Sequence, residues 1–255
     1  MTLVWRPGYG GAAVSDPDAQ AYLQAVEVAD NQALEQGVQQ AVNQFVIGCK
    51  ADGIWDAIKA SCILAGARTL DGALVPLVKQ PADSAPARFG TEGGWNYTRK
   101  TGLQGNGTDN YINSGRNNNA DPQDSNHNAL YLTAAAATGV ALGTELGTPT
   151  TGNNAINAGN VRNRTNVSFS RTIQNGLEGT SRAASPQYTL RSGGVSTTVT
   201  ESSQTPENSL VLLFRGGSSS STHRISFYSI GESLDLAALD TRVSALITAI
   251  GAAIP

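Results

Sequence analysis

From Asn96 to about residue 230 the chain is a series of short β-prone runs separated by clusters of Gly, Asn, Asp and Ser. This texture constrains the fold more than any other feature, because turn residues recur too often for helices to form between them. Strand candidates fall at residues 102–103, 111–112, 129–135, 139–142, 166–172, 188–190, 196–200, 210–215 and 223–230. Residues 167–173 alternate, with Val167, Phe169, Arg171 and Ile173 on one face. Residues 224–230 do so approximately. Residues 210–214 are apolar without a break, as in a strand covered on both sides. The pattern predicts a mainly antiparallel β-sandwich over residues 96–232.

The sandwich is flanked by helical sequence. Ser15 or Asp16 caps a helix that Pro17 can open. Apolar residues then recur at steps of three and four through Tyr22, Val26, Val38, Val42 and Phe45. The spacing predicts one helix over residues 17–47, roughly 45 Å long at 1.5 Å per residue. Its Ala- and Gln-rich stripe is assigned to oligomerisation through Tyr22, Val26, Val38, Val42 and Phe45. A second helix is predicted over residues 52–65, stopped by Gly66. A third starts at Ser233 or Asp235 and carries Leu236, Leu239, Val243, Leu246, Ile247 and Ile250 as one stripe. The predicted organisation is therefore α+β. A docking arm occupies residues 1–14, a helical anchoring region 15–69, a Pro- and Gly-rich connector 70–95, the sandwich 96–232 and a closing helix 233–255.

Composition narrows the function. Charged residues are 15% of the 255, the net charge is −3, and no Lys/Arg stripe is present, which excludes nucleic acid as an expected partner. The first residues lack the pattern of a signal peptide, and no apolar run reaches the ~20 residues of a membrane span. Membrane insertion is not expected. Cys49 and Cys62 read as reduced, buried thiols.

Several segments resemble known proteins. Residues 48–75, containing Cys49, Trp55 and Ile58, are similar to a module of tailed-bacteriophage structural proteins. Residues 99–108, then Tyr111 and Ile112, then the Asn-rich stretch 116–121, resemble the first strands of a concanavalin A-like (laminin G-like) jelly roll. Residues 227–234 resemble its last strand. The resemblance implies a virion component: a tail-fibre, receptor-binding or capsid-decoration subunit, made in the bacterial cytoplasm. It implies a homo-oligomer, with a trimer favoured, bound to other virion proteins and displaying its loops to a host-surface glycan. The alternatives are a carbohydrate-binding lectin module and, behind it, a glycan-cleaving enzyme on the same fold.

Candidate site residues are few. Asp121 and Asp124, with the neighbouring asparagines, are the candidate hard-cation ligands; a solvated loop is the stronger expectation. Trp95, Tyr97, Tyr111, Asn117 and Asn119 are the candidate sugar contacts. His127 and His223 stand at strand entrances, and no nucleophile elbow, HExxH or paired catalytic carboxylates accompany them. The Gly-rich run 102–107 lacks the GK[ST] of a phosphate loop. No catalytic residue and no cofactor is expected.

Overall fold

The computed structural model describes residues 14–146 and 152–255. The expected arm, apart from Val14, lies outside the described residues, as does part of the polar loop at 147–160. The chain begins with helices α1 (Pro17–Asp30) and α2 (Gln36–Ala51), strand β1 (Ile58–Ile63) and the one-turn helix α3 (Leu70–Ala73). Next come β2 (Val78–Lys79), β3 (Ala87–Phe89), β4 (Asn96–Thr98), β5 (Gly102–Gln104), β6 (Tyr111–Asn117), β7 (Asn126–Ala134) and β8 (Val140–Thr144). β9 (Asn154–Asn157), β10 (Asn160–Asn163), β11 (Phe169–Ser170), β12 (Gly176–Ala184), β13 (Gln187–Ser192) and β14 (Val195–Thr200) follow. The chain closes with β15 (Leu210–Leu213), the small hairpin β16 (Arg215–Gly216) and β17 (Ser219–Ser220), β18 (Arg224–Gly231) and α4 (Leu236–Ala253).

These elements form three layers: helices, a nine-stranded sheet and a seven-stranded sheet. The nine-stranded sheet runs β14-β13-β12-β7-β18-β1-β2, with β5 on β18 and β4 on β5. The seven-stranded sheet runs β11-β10-β9-β8-β15-β6-β3. The central strand β18 pairs antiparallel with β7 on one side and β1 on the other. Its alternate residues serve two cores. Phe227 packs with the helices, while Tyr228 and Ile230 pack against the second sheet. The fold is thus α+β and mainly an antiparallel sandwich, as the strand texture predicts.

The single helix expected over residues 17–47 is two helices folded into a hairpin. Asn31 ends α1 in the left-handed conformation (φ 52°), its backbone N–H donating to Glu27 and Val28 carbonyls. Asparagine tolerates this conformation better than most residues, so the helix stops there. Lys50 at the end of α2 then reaches back to Asp16 and Asp18 at 2.7 and 2.6 Å, which sets the two helices antiparallel. Tyr22, Val26, Val38, Val42 and Phe45 are all at most 5% exposed. They are spent on the chain's own core, so the oligomerisation stripe expected of them is not available to a second copy.

The helix expected over residues 52–65 is also corrected. After a short 3-10 turn at Trp55–Ala57, the segment is strand β1. Ile58 and Ile63 face the helices, and Ala60 and Cys62 face the other sheet. A short strand buried on both faces has no alternation to read, and its apolar spacing imitates a helix. The strand expected over 166–172 shrinks to β11, and Val167 is 44% exposed. Cys49 and Cys62 are free and buried, and burial pushes both thiols up to about 12.

Helix α4 has the length and composition of a membrane span. Its apolar stripe is nonetheless packed into the core through Leu239, Val243, Leu246 and Ile250, and Arg242 is paired to Asp52 at 2.7 Å. Phe227 is the centre of the helix-side core, fully buried with its ring 5.5 Å from that of Phe45 and edge-on to it. Phe227→Ala is expected to lower unfolding free energy by about 3–5 kcal/mol, read from the shift of the urea midpoint at unchanged m-value.

Candidate functional site

The outer face of the seven-stranded sheet carries a groove built by the sheet register. Ile156, Val161, Leu142, Val211, Leu213 and Ile112 point inward to the inter-sheet core. In register between them, Arg162, Ala155, Gly143, Leu212, Asn113 and Ala87 form one row across the opposite face. Small residues in this row leave a groove of about 410 Å³. Gly143 and Ala155 line it, with Val140, Asn153, Asn157, Arg162 and, from the β16–β17 hairpin, Gly216 and Ser219. The hairpin lies close over the sheet here: a Cβ on Gly143 would stand 3.1 Å from the Cα of Gly216.

The lining mixes polar and apolar groups and is almost uncharged. Among the described residues, the side-chain carbonyls of Asn153 and Asn157 have no donor, although Asn153 is 1% exposed. Each such acceptor costs about 1–3 kcal/mol when nothing satisfies it. Arg162 is half-buried, and its Nε donates to the Ser168 hydroxyl at 2.8 Å. Burial pushes its pKa down, and among the described residues no carboxylate opposes that shift. The guanidinium is therefore a charge-bearing donor without an anionic partner.

The hairpin also reaches an aromatic pair. Arg215 lies over the Tyr111 ring at 5.0 Å, and Tyr111 stacks on Phe89 at 5.0 Å and 10° between planes. Phe89 is 44% exposed. Sequence reasoning picked out Tyr111 but missed Phe89, because Phe89 is the partner of Tyr111 across two strands and not its neighbour in sequence. A β-prone aromatic next to Arg88 in a Pro/Gly-rich stretch was the only signal available.

The other candidate residues are distributed elsewhere. Trp95 packs edge-on to Phe214 at 5.8 Å, and the Tyr97 hydroxyl donates to the Ala67 carbonyl at 2.7 Å. Both contribute to the cores and neither joins Tyr111 in a common platform. Asn117 and Asn119 are exposed at the far end of β6. The expected cation ligands are committed to protein partners. Arg116 grips both oxygens of Asp121, at 3.1 and 2.5 Å, and a second carboxylate, Asp83, at 2.7 Å. Asp124 accepts from the Ser203 hydroxyl. Among the described residues no group of three or more His, Cys, Asp or Glu is placed to hold a metal ion. The loop is a corner tied down by the Asp121–Arg116 salt bridge, with Asn119, Ala120 and Pro122 left exposed to solvent.

One catalytic-looking contact does form. His127 Nδ1 lies 2.6 Å from the Glu232 carbonyl, which can only accept, so the ring proton sits on Nδ1. Nε2 is then left bare to accept from the Ser229 hydroxyl at 2.7 Å. Both residues are fully buried within the nine-stranded sheet, with no path for a substrate. Burial holds the pKa of His127 down to about 4, and that of His223 likewise.

No family model matches the sequence, and no curated protein matches it. Among solved structures, the chain is similar to domain 4 of AbnA, a GH43 extracellular arabinanase from Geobacillus stearothermophilus, in complex with arabinotriose. The TM-score is 0.46 at 10% identity, covering 72% of this chain and 97% of that one.

The two histidines make stability depend on pH. Their folded pKa lies below the ordinary value near 6.5, so the unfolded chain takes up protons first as pH falls. Stability contributed by each is present above pH 6.5 and is lost progressively down to pH 4, by about 3 kcal/mol per histidine. Urea unfolding across this window is expected to show the loss, and His127→Gln to reduce the slope to about half.

Proposed function

We propose that this protein is a non-catalytic carbohydrate-binding β-sandwich module whose ligand lies in the groove on the outer face of the seven-stranded sheet. The observation that carries this reading is the groove's chemistry. Among the described residues, the Asn153 and Asn157 carbonyls lack donors, and the Arg162 guanidinium lacks a carboxylate. Saccharide hydroxyls donate and accept, so they answer both needs at once, and the neutral polar groups of the lining desolvate them at small cost. The exposed Phe89, backed by Tyr111, offers an apolar surface for the C–H face of a further ring.

The resemblance of residues 48–75 to a module of tailed-phage structural proteins favours a virion as the setting for such a module, with the low surface charge in keeping. On that reading the sandwich is the displayed part and the arm ahead of α1 is the attachment to the particle. A glycan-cleaving role is disfavoured by the burial of the Ser229–His127 pair and by the commitment of Asp121 to Arg116.

Glycan-array screening followed by calorimetry on a responding oligosaccharide tests the reading. Wild-type protein is expected to bind a restricted set of glycans without releasing new reducing ends. Arg162→Ala is expected to weaken binding about 10-fold or more, the loss of a hydrogen bond to a charged donor. Phe89→Ala is expected to weaken it several-fold for longer chains only. Silence across neutral and acidic glycans, or affinities unmoved by either substitution, would overturn it.

A further inference from the structure

The sheet edges of this molecule are unequal. β2, β3, β4 and β11, which stand at edges of the two sheets, are two or three residues long. Edges so short offer little backbone to a partner. The remaining edge, β14, has six residues, Val195 to Thr200 with the sequence VSTTVT. At about 3.4 Å per residue it presents roughly 20 Å of strand.

Among the described residues, β14 lacks the usual sequence devices by which edges are protected. It holds no charge and no proline, and it pairs with β13 without a bulge. Five of its six residues are exposed, including Val195 at 64%. Val and Thr favour extended backbone, and the Gly193–Gly194 turn, both at positive φ, ties the strand to β13 as a two-residue hairpin. The edge is therefore already extended and held in register with β13. Both faces are open beside it. Thr197 and Val195 stand beyond the second sheet on one side, and Ser196, Thr198 and Thr200 beyond the helices on the other.

We propose that β14 is a self-association edge, and that its partner is β14 of a second copy. A two-fold axis perpendicular to the sheet pairs the two strands antiparallel, centred on Thr197 or Thr198, and joins two nine-stranded sheets into one. The second copy is favoured over an unfolded peptide because its strand arrives ordered, so no chain entropy is lost on docking. It is also favoured by charge. Identical strands placed opposite each other repel when charged, and this one carries no charge to repel. The same axis leaves the outer faces of both seven-stranded sheets pointing the same way. If the saccharide reading holds, the dimer displays two grooves to one surface, and avidity follows from geometry; the association itself does not depend on that reading.

Sedimentation and light scattering of the full chain without ligand test the proposal. The mass is expected to double reversibly with concentration in the micromolar range, as suits a narrow interface. The double variant T197K/T198K places like charges across the seam. It is expected to dimerise at least ten-fold more weakly, while its melting temperature at dilute concentration stays that of wild type. A wild-type chain that remains monomeric at the highest soluble concentration overturns the proposal. So does a double-lysine variant that is folded and dimerises as strongly as wild type, since the interface is then another surface. Glycan binding by a monomeric chain would leave the saccharide reading standing alone.

Discussion

Everything in this structure follows from a β-sheet that is covered on both faces. The strands β1, β7, β12 and β18 at its centre can have no hydrated side, so each must supply two apolar surfaces. β18 does this with Phe227 toward the helices and Tyr228 and Ile230 toward the second sheet. A nine-stranded sheet with two apolar faces needs a layer on each. The second sheet supplies one and the α1–α2 hairpin with α4 the other. That demand explains why the apolar stripes of all three long helices face inward. It also explains the small residues between the helices. Gly37 lets α2 approach Ala253, and Gly48 lets the Arg242 side chain cross α2 to reach Asp52.

At one end of the sandwich the two sheets are joined by polar contacts. Arg182 on β12 donates to the backbone and side-chain oxygens of Asn163 on β10, and Asn163 in turn donates to Asn126 on β7. Arg164, 1% exposed, donates to the Asn118 and Asp121 carbonyls, and Arg116 holds Asp121 itself. Asn118 then donates to the Gly152 carbonyl and accepts from Asn154. The network ends at the segment that carries Asn153. The groove wall is thus positioned by buried guanidinium groups, whose planar forks fix several carbonyls at once. Buried arginines of this kind are weak evidence of stability and better evidence of a fixed geometry. Here the geometry that they fix is that of the candidate binding surface.

The sequence revealed the layers unevenly, for physical reasons. The alternation and turn spacing after Asn96 disclosed most strands of the sandwich, and β5, β6, β8, β13, β14, β15 and β18 lie where these signals put them. β1 was disguised by double burial, which erases the period of two. β12 was disguised by charge. Its Glu178 and Arg182 are fully buried, which no pattern of apolar residues can announce. Glu178 is matched by Arg171 at 3.0 Å, and Arg182 lies over the Tyr188 ring, so the partners that make burial tolerable come from the segments on either side of β12. The same holds for the groove. Its row joins β10, β9, β8, β15, β6 and β3, and only the register of a finished sheet brings Arg162 and Asn113 onto one face. Tyr111 was visible as an aromatic, and Phe89 beneath it was not.

The low charge of the chain has a further consequence once the interior is known. Arg116, Arg164, Arg171 and Arg182 and the carboxylates of Asp121 and Glu178 are withdrawn from the surface. The surface is therefore more neutral than the 15% charged composition implies. Long-range attraction and repulsion between molecules are correspondingly weak. Association must then rest on directional, short-range groups: backbone N–H and C=O along an open strand, and amide and guanidinium groups in a groove. Such contacts are individually modest, and those between neutral groups are little affected by salt, because they have no ionic field to screen. A surface of this kind gains affinity by repetition, and the proposed pairing of two β14 edges would set two candidate binding faces side by side without any stronger single contact.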